Sequence, residues 1–337
     1  MHFFINAPTI SLFIKVEVVG MKTDQHTEII KGIAFATGAY IMWGILPIYW
    51  KLVQSVPSPE VLAHRIVWSF LLMIVILLVT GKLRTFGGEL CEIMATPKKS
   101  FGVLMASSLI TINWFIYIWA VNSNRVIETS LGYYINPLVS ILLGILVLKE
   151  KLSFWQMISF LLAMLGVLNM TLHFGAVPWA ALALAVSFGL YGLFKKMVGL
   201  GAITSITIET LIISPFALLY LIYLEKSGNS AFGSGSPGIA VLLIGAGIVT
   251  AVPLILFSEG ANRLPLTIIG FLQYIAPTMA LLLGVFLYHE PFTKVHLVSF
   301  AFIWAALLIF SLAKTRSFAQ LESLLLKKAA LKKREPA

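Results

Sequence analysis

Long apolar runs fill most of this 337-residue chain, and short polar segments separate them. A helix needs roughly 20 mostly apolar residues to cross a hydrocarbon core about 30 Å thick, so apolar windows of that length predict transmembrane helices. Ten such windows are bounded by charged residues, Gly or Pro. They cover residues 31–51, 59–80, 101–121, 127–148, 153–173, 177–196, 203–224, 238–260, 266–287 and 293–313.

The polar segments between the windows are short. Residues 122–125, 149–151 and 289–291 leave room only for tight connections between helices. A β-barrel would instead require strands of about ten residues in which apolar and polar positions alternate. Because these windows are apolar throughout, the sequence predicts an all-α integral membrane protein with ten transmembrane helices.

Seven residues in and directly after the fourth window recur 140 positions later in the chain. Tyr134, Ile135, Pro137, Leu142, Leu143, Gly144 and Glu150 recur as Tyr274, Ile275, Pro277, Leu282, Leu283, Gly284 and Glu290. Because five spans separate the copies, the copies are predicted to cross the membrane in opposite directions, which is typical of inverted-repeat transporters. The predicted organisation is a first five-helix repeat at residues 31–173 and a second, inverted repeat at residues 177–313. A duplicated bundle without a pathway is the alternative.

Composition and charge agree with a membrane environment. Hydrophobic residues make up 59% of the chain, charged residues make up 11%, and the mean hydropathy is +0.95. If the N-terminus lies in the cytoplasm, the tails and the even-numbered loops hold nineteen of the 24 Lys and Arg residues. This positive-inside pattern predicts that both termini are cytoplasmic. It also accounts for the net charge of +10 without a nucleic-acid partner.

The two ends of the chain are predicted to be cytoplasmic tails. Residues 1–30 form the first tail, and Met21 is an alternative start of translation within it. Residues 314–337 form a basic second tail with apolar residues at near-helical spacing. This second tail either lies along anionic lipid or is a frayed end. Cys91 is the only cysteine, so a disulfide within the chain is excluded.

Polar side chains surround two prolines near the middle of their spans. Pro137 and Pro277 lie about ten residues into the fourth and ninth spans, where proline removes a backbone hydrogen bond and favours a kink. Neighbouring positions carry Tyr133, Tyr134, Asn136, Gln273 and Tyr274. Freed carbonyls together with phenol and amide groups at half depth predict a cavity for a polar solute. Hydrogen bonding between helices is the alternative role for the same side chains.

Ionisable residues also lie inside predicted spans, where an unpaired charge is costly and a functional role is the default inference. Glu60, His64 and Arg65 occupy the outer part of the second span, and Glu209 lies near the inner side of the seventh. The forked donors of Arg65 suit a carboxylate, which is either a protein partner such as Glu60 or Glu128, or part of a substrate. Glu60, His64 and Glu209 are candidates for proton coupling.

Several short motifs occur together between residues 31 and 314. They are Trp43-Gly44 with Pro47 and Tyr49, His64-Arg65 with Trp68-Ser69-Phe70, Asn113-Trp114 with Trp119-Ala120-Val121-Asn122, Leu131-Gly132-Tyr133 with Ile135-Asn136-Pro137-Leu138, and Gln273-Tyr274-Ile275 with Pro277-Thr278. In this combination the chain resembles the RarD family of EamA-type permeases, within the drug/metabolite transporter superfamily. The resemblance implies ten helices in two inverted repeats, a bacterial inner-membrane location, and transport of small metabolites or drug-like compounds.

The leading functional hypothesis is a secondary transporter for a small amphipathic solute. Trp43, Tyr49, Asn113 and Trp114 complete the set of candidate pathway residues, although aromatic residues also anchor helices at membrane interfaces. Gly81-Lys82 lacks the other residues of a P-loop, so we expect gradient-driven transport or facilitated diffusion. An integral-membrane enzyme and a non-transporting scaffold or sensor are the alternatives. No catalytic or metal-binding cluster is visible, and no cofactor is predicted.

Overall fold

The computed structural model describes residues 23–148, 154–174, 177–234, 236–261, 263–264 and 272–313. The predicted tails before residue 23 and after residue 313 lie outside the described residues. The repeat residue Glu150 and the first part of the ninth predicted span, residues 266–271, lie outside them as well.

All the regular structure in these described ranges is helical, which confirms the all-α prediction. The elements are α1 (Thr23–Leu52), α2 (Ser58–Val79), α3 (Leu83–Ala95), α4 (Pro97–Asn122), α5 (Val126–Leu148), α6 (Phe154–Phe174), α7 (Trp179–Val198), α8 (Ala202–Lys226), α9 (Ala231–Ser234), α10 (Pro237–Ala261), α11 (Ile275–Leu282) with a π-helical turn (Leu283–Leu287), and α12 (Lys294–Ala313).

Six helices in the described part of the chain are long and apolar enough to cross a membrane. They are Thr27–Leu52, Ser58–Val79, Pro97–Asn122, Phe154–His173, Ile203–Lys226 and Pro237–Phe257. Shorter apolar helices cover Trp179–Lys195, Ile275–Leu287 and Lys294–Phe310. The chain is therefore a multi-pass membrane protein, and the count of ten spans stays a prediction.

Two short helices lie between the predicted spans. The predicted loop at residues 81–100 contains α3, whose 13 residues include the buried Phe86 and Ile93. The four-residue helix α9 lies in the connection between α8 and α10. A search for windows of about 20 apolar residues does not detect elements of this length.

A turn precedes Pro277 in the described part of the ninth predicted span. Gln273 and Tyr274 form a turn, and α11 begins directly after it at Ile275. Pro277 has no N–H to donate to the carbonyl four residues earlier, which is that of Gln273, so the turn lies where the helical hydrogen bond is missing. The helix α5, in contrast, continues through Pro137 from Val126 to Leu148. In the described residues, Pro277 therefore lies in the first turn of a helix, directly after the turn at Gln273 and Tyr274.

The long helices of the two halves pack against each other in pairs. α2 packs on α8, α5 on α11, and α6 on α12. α1 packs on α10 and α11, α2 also packs on α10, α5 also packs on α7, and α4 packs on α7 and α8. Each of these contacts joins one helix from before residue 175 to one from after it, so the interior of the bundle is shared by both halves.

Two glycines bring helix backbones into direct contact. A Cβ atom at Gly247 in α10 would lie 2.5 Å from the backbone carbonyl carbon of Trp68 in α2. A Cβ atom at Gly132 in α5 would lie 2.8 Å from the carbonyl oxygen of Ala181 in α7. Small residues at helix interfaces permit this close approach. The two contacts hold α2 and α5, the helices of Arg65 and Tyr133, close to the second half.

Candidate functional site

Arg65 is buried against two tryptophan rings. Only 5% of the residue is exposed. Its guanidinium carbon lies 4.2 Å from the ring centre of Trp114 in α4 and 5.1 Å from that of Trp50 in α1. Aromatic faces attract a cation, but they accept none of its five directed N–H bonds in the plane of the guanidinium. Among the described residues, Arg65 Nε and Nη1 have no hydrogen-bond partner.

Glu60, one of the alternative carboxylate partners for Arg65, forms no ion pair with it among the described residues. Glu60 Oε1 instead accepts hydrogen bonds from the N–H of Ala231 at 2.7 Å and from Ser230 Oγ at 3.5 Å. Because successive helical positions are about 100° apart, Glu60 and Arg65 face different neighbours although only one turn separates them. Glu60 faces the α8–α10 connection, whereas Arg65 faces the tryptophans of α1 and α4.

His64 lies on the same side of α2 as Glu60. Its imidazole stacks on the ring of Phe232, with 4.9 Å between the ring centres and an interplanar angle of 26°. His64 Nδ1 accepts a hydrogen bond from Trp68 Nε1 at 3.3 Å. These contacts place His64 in the packing between α2 and α9, beside Arg65 in sequence but among other partners.

Glu128, the second predicted partner of Arg65, has other partners too. Glu128 Oε1 accepts a hydrogen bond from the N–H of Ala180 at 3.0 Å, and Glu128 Oε2 lies 3.3 Å from Nη1 of Arg125. The carboxylate therefore caps the start of α7 from the start of α5. Glu128, the other alternative partner for Arg65, is therefore occupied by Arg125 and by the N–H group at the start of α7, where a carboxylate is stabilised.

Glu290 forms an inter-helix contact that the sequence reading missed. Its two carboxylate oxygens accept hydrogen bonds from the N–H groups of Val126 at 2.7 Å and Ile127 at 2.8 Å, which are the first two residues of α5. Lys51 at the end of α1 donates to Asn124 in the same region. We call this region, where the connections at residues 53–57, 123–125 and 288–293 lie, the Asn124 end of the bundle. The recurrence of Glu150 as Glu290 was the available signal.

Glu209 belongs to a buried polar cluster between α7 and α8. Its carboxylate accepts hydrogen bonds from Ser205 Oγ at 2.5 Å and the Tyr191 hydroxyl at 3.1 Å, and lies 3.4 Å from Lys195 Nζ. Lys195 also donates to the Tyr191 hydroxyl and lies over its ring. The sequence predicted Glu209, but it did not predict Lys195 as its counter-ion.

A series of aromatic rings leads from Arg65 toward this cluster. Tyr117 and Tyr133 pack in the same hydrophobic cluster as Trp50, whose ring lies over Arg65, and they form an edge-to-face pair with 5.7 Å between ring centres. Tyr133 contacts Phe188 at 6.5 Å, and Phe188 contacts Tyr191 at 5.8 Å. The two candidate sites around Arg65 and Glu209 are thus joined by contiguous rings.

Tyr134 faces a different part of the bundle from Tyr133. Its ring stacks on that of Tyr274, with 6.1 Å between centres and an angle of 18°. Its hydroxyl is hydrogen-bonded to Thr278 Oγ1, and Ser130 Oγ donates to the Pro277 carbonyl at 2.7 Å. The predicted polar cluster is consequently divided, with Tyr134, Tyr274 and Pro277 at the contact between α5 and α11.

The remaining predicted residues occupy several positions. Trp43 packs on Tyr40 and Phe257, and the Tyr49 hydroxyl donates to the Leu242 carbonyl. Asn113 Nδ2 donates to the Leu184 carbonyl at 3.0 Å and to Ser187 Oγ at 2.9 Å. Asn136 lies half-buried on α5, Gln273 is hydrogen-bonded to Tyr274, and the side chain of Pro137 lies outside the described part. Of the tryptophans predicted for the pathway, only Trp114 contacts Arg65.

Arg263 joins two helices at the opposite end of the bundle. Its guanidinium lies at 2.5 Å from Glu259 Oε2 and at 3.1 Å from Glu28 Oε2. The hydrogen bond to Glu259 is the main cause that raises the pKa of Arg263 above its ordinary value. This exposed ion-pair network fastens the end of α10 to α1.

The comparisons with known proteins agree with this architecture. The model of the EamA-like transporter family matches the chain twice, at residues 30–172 and 176–312. The chain belongs to the EamA-like transporter family. Its EamA-like relatives include a protein named as uncharacterized transporter YojE of Bacillus subtilis, which is 48% identical over 296 residues covering 87% of this chain and 97% of YojE.

The predicted RarD relationship is confirmed as well. Protein RarD of Escherichia coli K12 is 43% identical over 280 residues, which cover 83% of this chain and 93% of RarD. Protein RarD of Streptomyces exfoliatus is 40% identical over 320 residues, which cover 94% of this chain and 99% of that RarD protein. One solved crystal structure aligns over 85% of this chain and 97% of its own, with a TM-score of 0.55 at 18% identity, and this likeness concerns the EamA-like fold alone.

Proposed function

We propose that this EamA-like membrane transporter works by alternating access between two inverted five-helix repeats, residues 31–173 and 177–313. It moves small amphipathic metabolites or drug-like compounds across the bacterial inner membrane, with both termini in the cytoplasm. The observation that carries this proposal is the pairing of the long helices between the two halves.

The helix pairs exchange under a single operation. This operation exchanges each long helix of the first half with the helix at the same place in the second half. The exchanged pairs are α1 with α7, α2 with α8, α4 with α10, α5 with α11, and α6 with α12. The contact of α1 with α10 becomes that of α7 with α4, α1 with α11 becomes α7 with α5, and α2 with α10 becomes α8 with α4. The pairs α2–α8, α5–α11 and α6–α12 map onto themselves. A twofold axis between the halves would produce this pattern, and five spans per half would place the axis in the membrane plane.

The stacked pair of Tyr134 and Tyr274 supports an axis at the contact between α5 and α11. These two residues are 140 positions apart, as are the other members of the repeat. In a twofold arrangement a residue touches its own equivalent only beside the axis. Rocking of one half against the other would repack this contact. The turn before Pro277 and the proline in α5 would serve as pivots for that motion.

The aromatic series between Arg65 and Glu209 supports a path for amphipathic solutes. Its tyrosines offer both an apolar ring and a hydroxyl, which suits a ligand with a polar group and an apolar body. Trp114, Tyr117, Tyr133 and Tyr191 are the path residues that this series favours, whereas Trp43, Tyr49 and Asn113 make contacts between helices. Asn136 and Gln273 stay candidates beside the axis.

Glu209 is the best-supported candidate for coupling transport to protons. Its carboxylate is buried and contacts Lys195 and Tyr191, so protonation would release both partners together. Glu60 and His64 are packed against α9 and are weaker candidates. If transport is facilitated diffusion instead, the same cluster has a structural role.

The names of the relatives favour transport over the alternatives. YojE of Bacillus subtilis and a relative in Vibrio cholerae are both called transporters. An integral-membrane enzyme or a non-transporting scaffold has no comparable support in the contacts described above.

Flux through the purified chain tests the proposal. Ligands are first selected from metabolites and antibiotics by the rise in unfolding temperature that binding to the folded state causes. Proteoliposomes loaded with such a ligand should then take up labelled ligand faster than empty ones, because exchange avoids the return of an empty carrier. Ligands that stabilise the protein but never cross the membrane would contradict transport. Equal rates of ligand uptake with and without a pH gradient would exclude coupling of transport to protons.

A further inference from the structure

We propose that Arg65 binds the carboxylate of the transported solute, and that the solute is a small monocarboxylate with a flat apolar body. This inference rests on the transport function proposed above and specifies its substrate class. Three features of the structure carry it: the burial of Arg65, its unpartnered donors, and the rings that surround it.

The charge of Arg65 requires an electronegative partner. A guanidinium stays protonated in proteins, and a charge that is removed from water needs a partner of opposite sign or a water-filled cavity. The rings of Trp50 and Trp114 attract the cation but accept no in-plane hydrogen bond. The ion pairs of the described residues all join other side chains, so the required acceptor has to come from elsewhere.

Four carboxylates of the bundle already accept hydrogen bonds from other groups, although Glu60 Oε2 has no partner among the described residues. Glu60, Glu128, Glu209 and Glu290 each accept at least one hydrogen bond from a backbone or side-chain donor away from Arg65. Moving any of them to Arg65 would expose a helix start or break the cluster between α7 and α8. A ligand can supply the missing oxygen atoms without such a cost.

On the side of α2 that faces the tryptophans, the buried groups without a partner are donors. Glu60 Oε2 and His64 Nε2, which also have no hydrogen-bond partner among the described residues, lie on the side of α2 that faces α9. Arg65 Nε, Arg65 Nη1 and the neighbouring Trp50 Nε1 are all buried without a hydrogen-bond partner in the part of the chain that the structure describes. Donors in this number favour a ligand group that only accepts. A carboxylate has two acceptor oxygens, a negative charge and the planar shape that matches the fork of a guanidinium.

The rest of the surroundings determines the body of the solute. The rings of Trp50 and Trp114 lie over the guanidinium, and Tyr117 and Tyr133 pack in the same hydrophobic cluster as Trp50. A flat aromatic or unsaturated group can pack on such surfaces, whereas a second charge on the solute would find no partner there. Monocarboxylates with an aromatic body therefore fit best, and dicarboxylates fit poorly.

Matched pairs of carboxylates and amides test the inference by thermal unfolding of the purified full chain in detergent. The probes are phenylacetate with phenylacetamide, indole-3-acetate with indole-3-acetamide, and hydrocinnamate with hydrocinnamamide. We expect at least one carboxylate to raise the unfolding temperature while its amide, which keeps the shape but loses the charge, does not. Carboxylates that never stabilise the protein more than their amides would overturn the inference.

Substitutions of Arg65 assign the effect to this residue. Arg65→Gln should lower the apparent affinity for the active carboxylate at least tenfold, and Arg65→Lys should retain part of it. Arg125→Gln is the matched control, because Arg125 also lies over a tryptophan ring, that of Trp119, but is exposed. Unchanged carboxylate affinity in Arg65→Gln would overturn the inference. If that variant does not fold, the carboxylate and amide comparison on the unmodified protein still decides.

The unfolding temperature without ligand gives a second readout. If the partner of Arg65 is the solute, the Arg65 charge is unpaired in the protein without ligand. Arg65→Gln should then unfold at the same temperature as the unmodified protein or at a higher one. A structural ion pair predicts a lower temperature, because its removal leaves a buried charge behind. Binding that depends on Arg65 without any flux would contradict transport but keep the site. Carboxylate flux that is equal in Arg65→Gln and in the unmodified protein would keep transport but contradict the role of Arg65.

Discussion

Single carboxylates fasten helices together at the Asn124 end of the bundle. Glu290 caps the first turn of α5, and Glu128 in that same turn caps α7. The first N–H groups of a helix have no partner within it and carry partial positive charge, so a carboxylate is stabilised there. Residues from distant parts of the chain therefore serve as caps where neighbouring residues do not.

Replacing Glu290 with Gln is expected to destabilise the folded protein. Gln keeps only one acceptor oxygen and no charge, so one of the N–H groups of Val126 and Ile127 loses its bond and the other is weakened. The expected loss in free energy of unfolding is about 1–3 kcal/mol. Thermal unfolding of the purified protein measures it.

Glu92→Gln is the matched control for this prediction. Glu92 is an exposed partner of Lys99 on the surface of the bundle, and exposed ion pairs contribute little. Equal unfolding temperatures for the Glu290 and Glu92 variants would show that the cap on α5 does not stabilise the protein.

Asn113→Ala is expected to affect stability rather than transport. Asn113 joins α4 to α7 through Leu184 and Ser187, and hydrogen bonds between helices in membranes contribute about 0.6 kcal/mol on average. We expect a slightly lower unfolding temperature with an unchanged apparent affinity for the transported solute. A large change in affinity at normal stability would return Asn113 to the pathway.

At the scale of elements, glycines set the distance between α2 and α10. Gly247→Ala would place a Cβ atom within 2.8 Å of three backbone atoms of Trp68 and Ser69, which cannot move without shifting a helix. Overpacking of this kind costs about 1–3 kcal/mol. The unfolding temperature should fall accordingly, and solute binding at Arg65 should weaken because α2 is displaced.

Gly192→Ala is the corresponding control in α7. A Cβ atom at Gly192 meets nothing within 4 Å, so this substitution is expected to leave the unfolding temperature unchanged or slightly higher. If both alanine variants unfold like the original protein, the contact between α2 and α10 is looser than described.

The apolar pattern predicted most of these elements, because hydrophobic windows report directly on burial in lipid. It also placed Arg65 and Glu209 in the interior. The pattern did not predict which residues contact the buried carboxylates. Ala231 lies 171 positions from its partner Glu60, and Val126 lies 164 positions from its partner Glu290. Contacts over such distances depend on how helices pack, which the pattern of one helix does not contain.

One part of the candidate site could have been resolved from the sequence. Tyr133 and Tyr134 are adjacent in a helix, so their side chains point about 100° apart and cannot share one chamber wall. The structure accordingly places Tyr133 toward Arg65 and Tyr134 toward Tyr274. The turn at Gln273 and Tyr274 could not be predicted in the same way, because a proline indicates that a helix is distorted but not which shape the distortion takes.

At the scale of the whole molecule, the inverted arrangement predicts opposite locations for equivalent loops. Gln54 and Gly201 each follow the first long helix of a half, and both are exposed. With Cys91 replaced by Ser, Gln54→Cys should react with a membrane-impermeant maleimide in intact cells, whereas Gly201→Cys should react only after the membrane is opened. Reaction of both cysteines from the same side would contradict the inverted repeat.

The π-helical turn at residues Leu283–Leu287 makes the two halves unequal. Its equivalents 140 positions earlier, residues 143–147, lie within the regular helix α5. A wider turn changes the direction in which the following residues leave the helix. In the proposed alternating-access cycle, two conformations related by perfect symmetry would have the same free energy, so this irregularity would give the empty carrier a preferred resting side and unequal affinities for solute on the two faces of the cell membrane.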